Sequence, residues 1–206
     1  MYATTKKYKA MKFCLYVSIL ILFGLPLYGQ NELSDPNRLS PEQLAAFKTE
    51  ASRKISALSN YIEIIADKSV DQSIRQKSIE LAVKLFEDKN QLVQVSSATN
   101  EEVRSYKIGE YLNRLRVLPY SRVDIEWYDL AYVSDYVLGS DGKYYAVATI
   151  FQKFRGYSAE GQLIYEDVTQ KNIEISLGKQ TRRIGDQEYK EWDLLLRQIS
   201  VLETRQ

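Results

Sequence analysis

The chain has 206 residues, 45% of them apolar and 27% charged, the proportions of an ordinary globular protein rather than of a disordered, collagenous or multi-span membrane one. Its formal charge of +1 rests on Lys6, Lys7, Lys9 and Lys12, which all precede an apolar leader; without these four, 24 of the 28 basic residues face 27 acidic ones, the wrong sign for a general nucleic-acid binder. Histidine is absent and Cys14 is the single cysteine, which removes disulfides, Cys/His zinc sites, Cys–His nucleophile pairs and the Ser-His-Asp triad together.

Residues 1–29 read as a secretory signal peptide. Lys6 to Lys12 form a basic n-region, and Phe13 to Leu27 form an apolar run of about 15 residues, shorter than the roughly 20 of a spanning helix. Gly24 and Pro26 break its end, and Leu27-Tyr28-Gly29 offers a small residue before a cut, so the mature chain is expected to begin at Gln30. Met1 and Met11 are both possible starts, since the sequence from Met11 already holds a full n-region and apolar run. The alternatives are an uncleaved membrane anchor and a lipoprotein, but Cys14 precedes the apolar run and leaves no lipobox. The expected location is the periplasm or cell envelope of a Gram-negative bacterium, with membrane contact only through the leader. About 177 residues would remain, enough to bury roughly 70% of the unfolded chain's surface as one domain.

Residues 30–39 are polar and turn-rich and read as a short tether to a single domain at 40–206. Ser40-Pro41-Glu42-Gln43 marks a helix start, with Ser40 as N-cap, Pro41 in the first turn and Gln43 closing a capping box. Leu44, Phe47, Ala51, Ile55, Leu58, Ile62 and Ile65 then recur every three or four residues, one face of a long helix. Asp67 to Asp71 interrupt it, and a second amphipathic stretch places Ile74, Leu81, Ala82, Leu85 and Phe86 inward, forming a helical hairpin. Leu92 to Val95 alternate as a short strand. Thr99 to Glu102 suggest another capping box, opening a third helix with Val103, Ile108, Tyr111, Leu112 and Leu115.

After Pro119 the period becomes two, the signature of strands. Val123, Ile125 and Trp127 alternate with polar neighbours. A turn at 139–142 precedes a strand at 143–157, a second turn at 158–161 leads to a strand at 163–177, and 192–201 forms the last strand, with a bulge at Arg197-Gln198 where the apolar phase shifts. Lys179, Arg182 and Arg183 are read as a solvated loop. The expected fold is α+β, with the N-terminal helices packed on a strongly curved, cone-like antiparallel sheet.

The segments LAVKLFEDKNQLVQVSS, YKIGEYLNRL, VDIEWYDLAYV, YYAVATIFQKF, YEDVTQKNIEISL and WDLLLRQISVL, in that order, resemble the nuclear-transport-factor-2-like superfamily of cystatin-like cones over about residues 40–203. The resemblance lies in element order and implies a curved sheet with a pocket at its open end, or a sheet face that pairs subunits. Enzymes of that superfamily work with an acidic residue or a histidine on the cone wall, and this chain has no histidine.

Two sets of candidate residues follow. Tyr165, Asp167 and Thr169 alternate on one strand and share a face; turned inward, a desolvated carboxylate beside a phenol suits general-base chemistry, and turned outward they form a wet strand surface. Asp129, in the phase of Ile125 and Trp127, is a further inward carboxylate or the mark of a bulge. Trp127 and Trp192 read as packing residues. The sheet half also carries Tyr128, Tyr132, Tyr144, Tyr145 and Tyr157, a surface suited to recognition. No phosphate loop, EF-hand or acidic metal motif is present, and no cofactor or metal is expected. The sequence favours an exported cell-envelope binding or scaffolding module, without catalytic residues, that engages a protein, another large ligand or a second copy of itself through the curved, tyrosine-rich sheet. The alternative is a small-molecule lyase or isomerase with Asp167 as base, assisted by Tyr165 and Asp129.

Overall fold

The computed structural model describes residues 38–205, with side chains throughout except at 100, 101 and 129–132. The expected signal peptide and nearly all of the tether lie outside the described residues. From Leu39 onward the chain forms one compact unit, and Leu39 itself belongs to its core. The Leu39 N–H donates to the Tyr144 hydroxyl at 3.1 Å, pinning the domain's first residue to the sheet.

Helix α1 spans Pro41–Ala66. The Gln43 N–H donates to Ser40 Oγ at 3.3 Å while the Ser40 N–H donates to Gln43 Oε1 at 2.8 Å, so two of the N–H groups left over at a helix start are satisfied reciprocally. Its expected stripe is the inner face: Ala51, Ile55, Leu58, Ile62 and Ile65 are buried, and Leu44 and Phe47 pack against the core. Asp67 ends the helix and Asp71 caps α2, Gln72–Val83, by accepting from the Ser73 N–H at 2.7 Å.

Helix α2 is rotated at its start relative to what its apolar pattern suggests. Ala82 and Phe86 are buried as expected, but Ile74 is 54% exposed, and Arg75, Ser78 and Ile79 are buried on the adjoining face. The cause is Arg75. Its guanidinium donates to Ile65 O and to Arg116 O, both at 2.8 Å, and so satisfies carbonyls at the C-terminal ends of two helices that would otherwise lack donors.

The third helix is shorter than expected. Residues 100–107 form a strand, and α3 covers only Ile108–Leu115. Strand β1, Leu92–Ser97, and strand β2, Asn100–Lys107, pair as an antiparallel hairpin. In the two-residue turn, the Thr99 N–H donates to Ser97 Oγ at 3.2 Å. Thr99 thus sits in a side-chain-supported turn, not a capping box, and Val103 is 48% exposed on a strand.

The remaining strands are β3 (Arg122–Val133), β4 (Val137–Leu138), β5 (Tyr144–Tyr157), β6 (Leu163–Ile184) and β7 (Gln187–Arg205). The sheet order is β2-β1-β7-β6-β5-β3, with β4 also pairing β5. The β1–β7 pairing, through Val93 and Ile199, is parallel, so the seven-stranded sheet is mixed where an antiparallel one was expected. A bulge falls at the expected place: Ile173 and Ile175 face Ile199 and Leu196, leaving one extra residue on β7 around Arg197-Gln198.

Strands β6 and β7 run well past the expected limits. Lys179, Arg182 and Arg183 belong to a two-stranded arm, not a loop, and its residues 179–191 are exposed. Gly185, at φ 62, closes it between Ile184 and Gln187, where a residue with a Cβ would be strained. With both faces wet the arm carries no alternating pattern. Cross-strand ion pairs hold it instead: Arg183 to Glu188 at 2.7 Å, and Arg182 to Glu191.

The core draws on all three helices and on β1, β3, β5, β6 and β7. No helix among the described residues is long and apolar enough to cross a membrane.

Candidate functional site

Alternation on β6 decides which of its side chains meet the core side of the sheet. Tyr165, Asp167, Thr169 and Lys171 stand directly across from Gly156, Phe154, Gln152 and Ile150 of β5. Cross-strand partners share a face, and this is the face of Ala146, Ala148 and Ile150 in the core. Four polar residues in succession therefore occupy a surface that is apolar further along the same strands.

They line a cavity of about 380 Å³. Its apolar wall includes Val95, Leu115, Leu118, Tyr120, Ile125 and Phe154, and its mouth carries Glu102, Arg104 and Arg114. Glu102 and Arg104 pair at 2.8 Å; the Arg114 guanidinium lies over the Tyr106 ring, 4.3 Å from its centroid. Space for the cavity depends on Gly156. A methyl group at that position would sit 2.4 Å from the Tyr120 ring, so only glycine lets Tyr120 lie flat there and make edge contact with Phe154, centroids 5.6 Å apart. Lys68, just beyond α1, donates to Leu118 O at 2.9 Å and Tyr120 O at 2.6 Å and fixes this wall.

The polar floor is an ordered network. The Tyr165 hydroxyl donates to Asp167 Oδ2 and lies 2.9 Å from Ser97 Oγ; the Ala98 N–H donates to the Tyr165 oxygen at 3.2 Å. The β1–β2 turn thus holds the phenol with its proton directed at the carboxylate. Asp167 is only 4% exposed. Burial raises its carboxyl above the ordinary aspartate value, and the Tyr165 hydroxyl, the Lys171 charge and the Ala98 N–H oppose the rise without cancelling it. Burial likewise raises the Tyr165 and Tyr120 hydroxyls, with the Asp167 charge adding to both.

Lys171 carries the feature that the sequence reading missed. It is 2% exposed, among the described residues its Nζ reaches only the carbonyl of Gln94 at 3.5 Å, and it lies 5.9 Å from the centroid of the Tyr111 ring. Desolvation pushes its amine down to about 8, against the pull of the Asp167 carboxylate. The signal in the sequence was the same alternation that linked Tyr165, Asp167 and Thr169, extended by one more step.

Asp129 falls where β3 and β5 lose register between Tyr128 and Tyr132, the bulge that was its alternative reading; its side chain and that of Tyr132 lie outside those described. Trp127 is half-buried and donates from Nε1 to Gln152 Oε1 at 3.2 Å. The tyrosine set divides. Tyr144 is 5% exposed, packs edge-on to the half-buried Trp192 and is a core residue, so its expected place on a recognition surface is corrected. It stands in the even phase of β5, which faces the core, and the odd phase faces away. Tyr145 and Tyr157 follow the odd phase, as does Tyr128 through its partner Phe151, and all three are half-exposed.

Among the described residues no cluster of acidic side chains could hold a metal ion. Comparison with protein-family models, with curated proteins and with solved structures finds no match for this chain.

Proposed function

We propose that this is an exported protein of the nuclear-transport-factor-2-like type whose work is done in the cavity on β6: it binds a small carbonyl compound and moves a proton on it, as a lyase or isomerase. The observation that carries the reading is the buried carboxylate of Asp167 with the Tyr165 hydroxyl directed at it inside a mostly apolar cavity. A raised carboxyl is a stronger base than a solvated one, and general bases of this kind contribute about 10²–10⁴-fold to rate. In this reading Asp167 removes a proton beside the carbonyl, and Tyr165 shifts its hydrogen bond to the oxygen on which charge develops. Helices closing over a cone-like sheet, with the cavity at its open end, are part of the same proposal, as is export by the basic and apolar leader.

The test is the conversion of 3-cyclohexenone to its conjugated isomer, followed by ultraviolet absorbance. The wild-type protein is expected to accelerate it over buffer, and Asp167→Asn to lower that rate about 10²-fold or more. No acceleration, or an unchanged rate in Asp167→Asn, contradicts the reading.

One observation favours a second reading, in which the sheet's other face engages a protein or a second copy of the chain. Tyr128 stacks on Phe151 with centroids 5.9 Å apart, and Tyr145 and Tyr157 are half-exposed on that phase of β5. Sedimentation velocity tests the self-pairing form: association that disappears on changing Tyr128, Tyr145 and Tyr157 to serine supports it, and a monomer at every concentration rules it out.

A further inference from the structure

A buried lysine beside a buried aspartate is unexpected in a cavity that needs only one base. Burial of an ammonium is costly unless it is paired and hydrogen-bonded, and among the described residues Lys171 has no carboxylate within ion-pair distance and a single hydrogen bond of 3.5 Å. Lys171 and Asp167 flank Thr169 on one face of β6 and line the same cavity. The groups facing Lys171 are the Gln94 carbonyl from β1, the Tyr111 ring from α3 and Asp167 from its own strand. None of these holds its amine as a structural ion pair would.

We infer that Lys171 is a nucleophile that captures an aldehyde or ketone in this cavity as an imine, with Asp167 as its proton relay. The inference deepens the proposed function and rests on that reading's claim that a carbonyl compound occupies the cavity. With an amine held at about 8, a larger fraction is unprotonated near neutral pH than for a solvated lysine at about 10.4.

The step balances within the residues present. The Lys171 nitrogen forms a bond to the carbonyl carbon, and the C=O π pair moves to oxygen. A proton passes from nitrogen to that oxygen through Asp167, giving a carbinolamine. The Asp167 carboxyl, carrying the proton released when the Lys171 ammonium becomes the free amine, then protonates the hydroxyl, which leaves as water. The products are an iminium and the Asp167 carboxylate. The iminium withdraws electrons from the adjacent carbon, and the new carboxylate is placed to remove a proton there.

Benzaldehyde with sodium cyanoborohydride tests this on the wild-type protein, since hydride delivered to an iminium leaves a stable benzyl group that peptide mass spectrometry locates. Lys171 is expected to be labelled about tenfold or more faster than the exposed Lys77 and Lys89, and Asp167→Asn to slow labelling of Lys171 without slowing theirs. Labelling spread over exposed lysines with Lys171 unmodified overturns the inference. The 3-cyclohexenone assay separates the two claims. Turnover without Lys171 labelling removes the imine and leaves the proton-transfer reading; labelling without turnover supports the imine and removes the proton transfer. If neither occurs, both fall.

Discussion

Two buried cations show how differently a charge can be accommodated. Arg75 meets carbonyls at the ends of α1 and α3 with two good hydrogen bonds, whereas Lys171 has, among the described residues, a single long one. Arg75→Met should therefore be destabilising by about 2–3 kcal/mol in chemical denaturation, since it leaves one buried and one partly buried acceptor without donors. Lys171 has the opposite thermodynamic sign. Its folded value is about 8 against 10.5 for the free amine, so between those pH values the unfolded chain binds more protons and stability rises with pH. Below about 8 both states are protonated and the full cost of the buried charge remains. The gain across that window is up to about 3 kcal/mol and should be missing in Lys171→Met, as thermal melts at pH 7.5 and 10 would show. Asp167 and Tyr165 were legible as a pair because alternation on a strand assigns faces. Their inward orientation was not, because a polar run reads equally well as a wet surface. Lys171 escaped notice for a related reason: its burial depends on α3 and on β1, which lie far from it in sequence.

At the scale of elements, apolar spacing served well where one face is dry and the other wet. The α1 stripe is of this kind, and Leu58 lies at its centre, fully buried. Leu58→Ala should cost roughly 2–5 kcal/mol, and an unchanged unfolding midpoint would detach α1 from the core. Where a polar residue takes a core position the spacing misleads, as Arg75 does in α2. Local motifs mislead when a competing structure satisfies the same side chain: Thr99 to Glu102 has a capping box's composition, yet Ser97 and Thr99 support a hairpin turn. The β6–β7 arm was illegible because ion pairs, not burial, hold it. Gly156 links element to site. Gly156→Ala must displace Tyr120 from the cavity wall, so its 3-cyclohexenone rate should fall, with a smaller loss for Gly109→Ala, where a methyl group meets nothing.

For the whole molecule, the sheet separates two kinds of surface. One side is committed to the core except around the polar run of β6, and the other carries the half-exposed tyrosines. The mixed topology matters to the first, because parallel pairing of β1 with β7 places the β1–β2 turn where Ser97 and Ala98 reach Tyr165. Asp167, buried and raised, is the proposed base of that cavity. The pH dependence of the 3-cyclohexenone rate is the measurement that decides this assignment. The rate is expected to increase as Asp167 ionises, with a midpoint above the ordinary aspartate value of about 4, and whatever rate Lys171→Met retains should show a higher midpoint, because the charge that holds it down is gone. A rate independent of pH, or a midpoint at or below about 4, would contradict it.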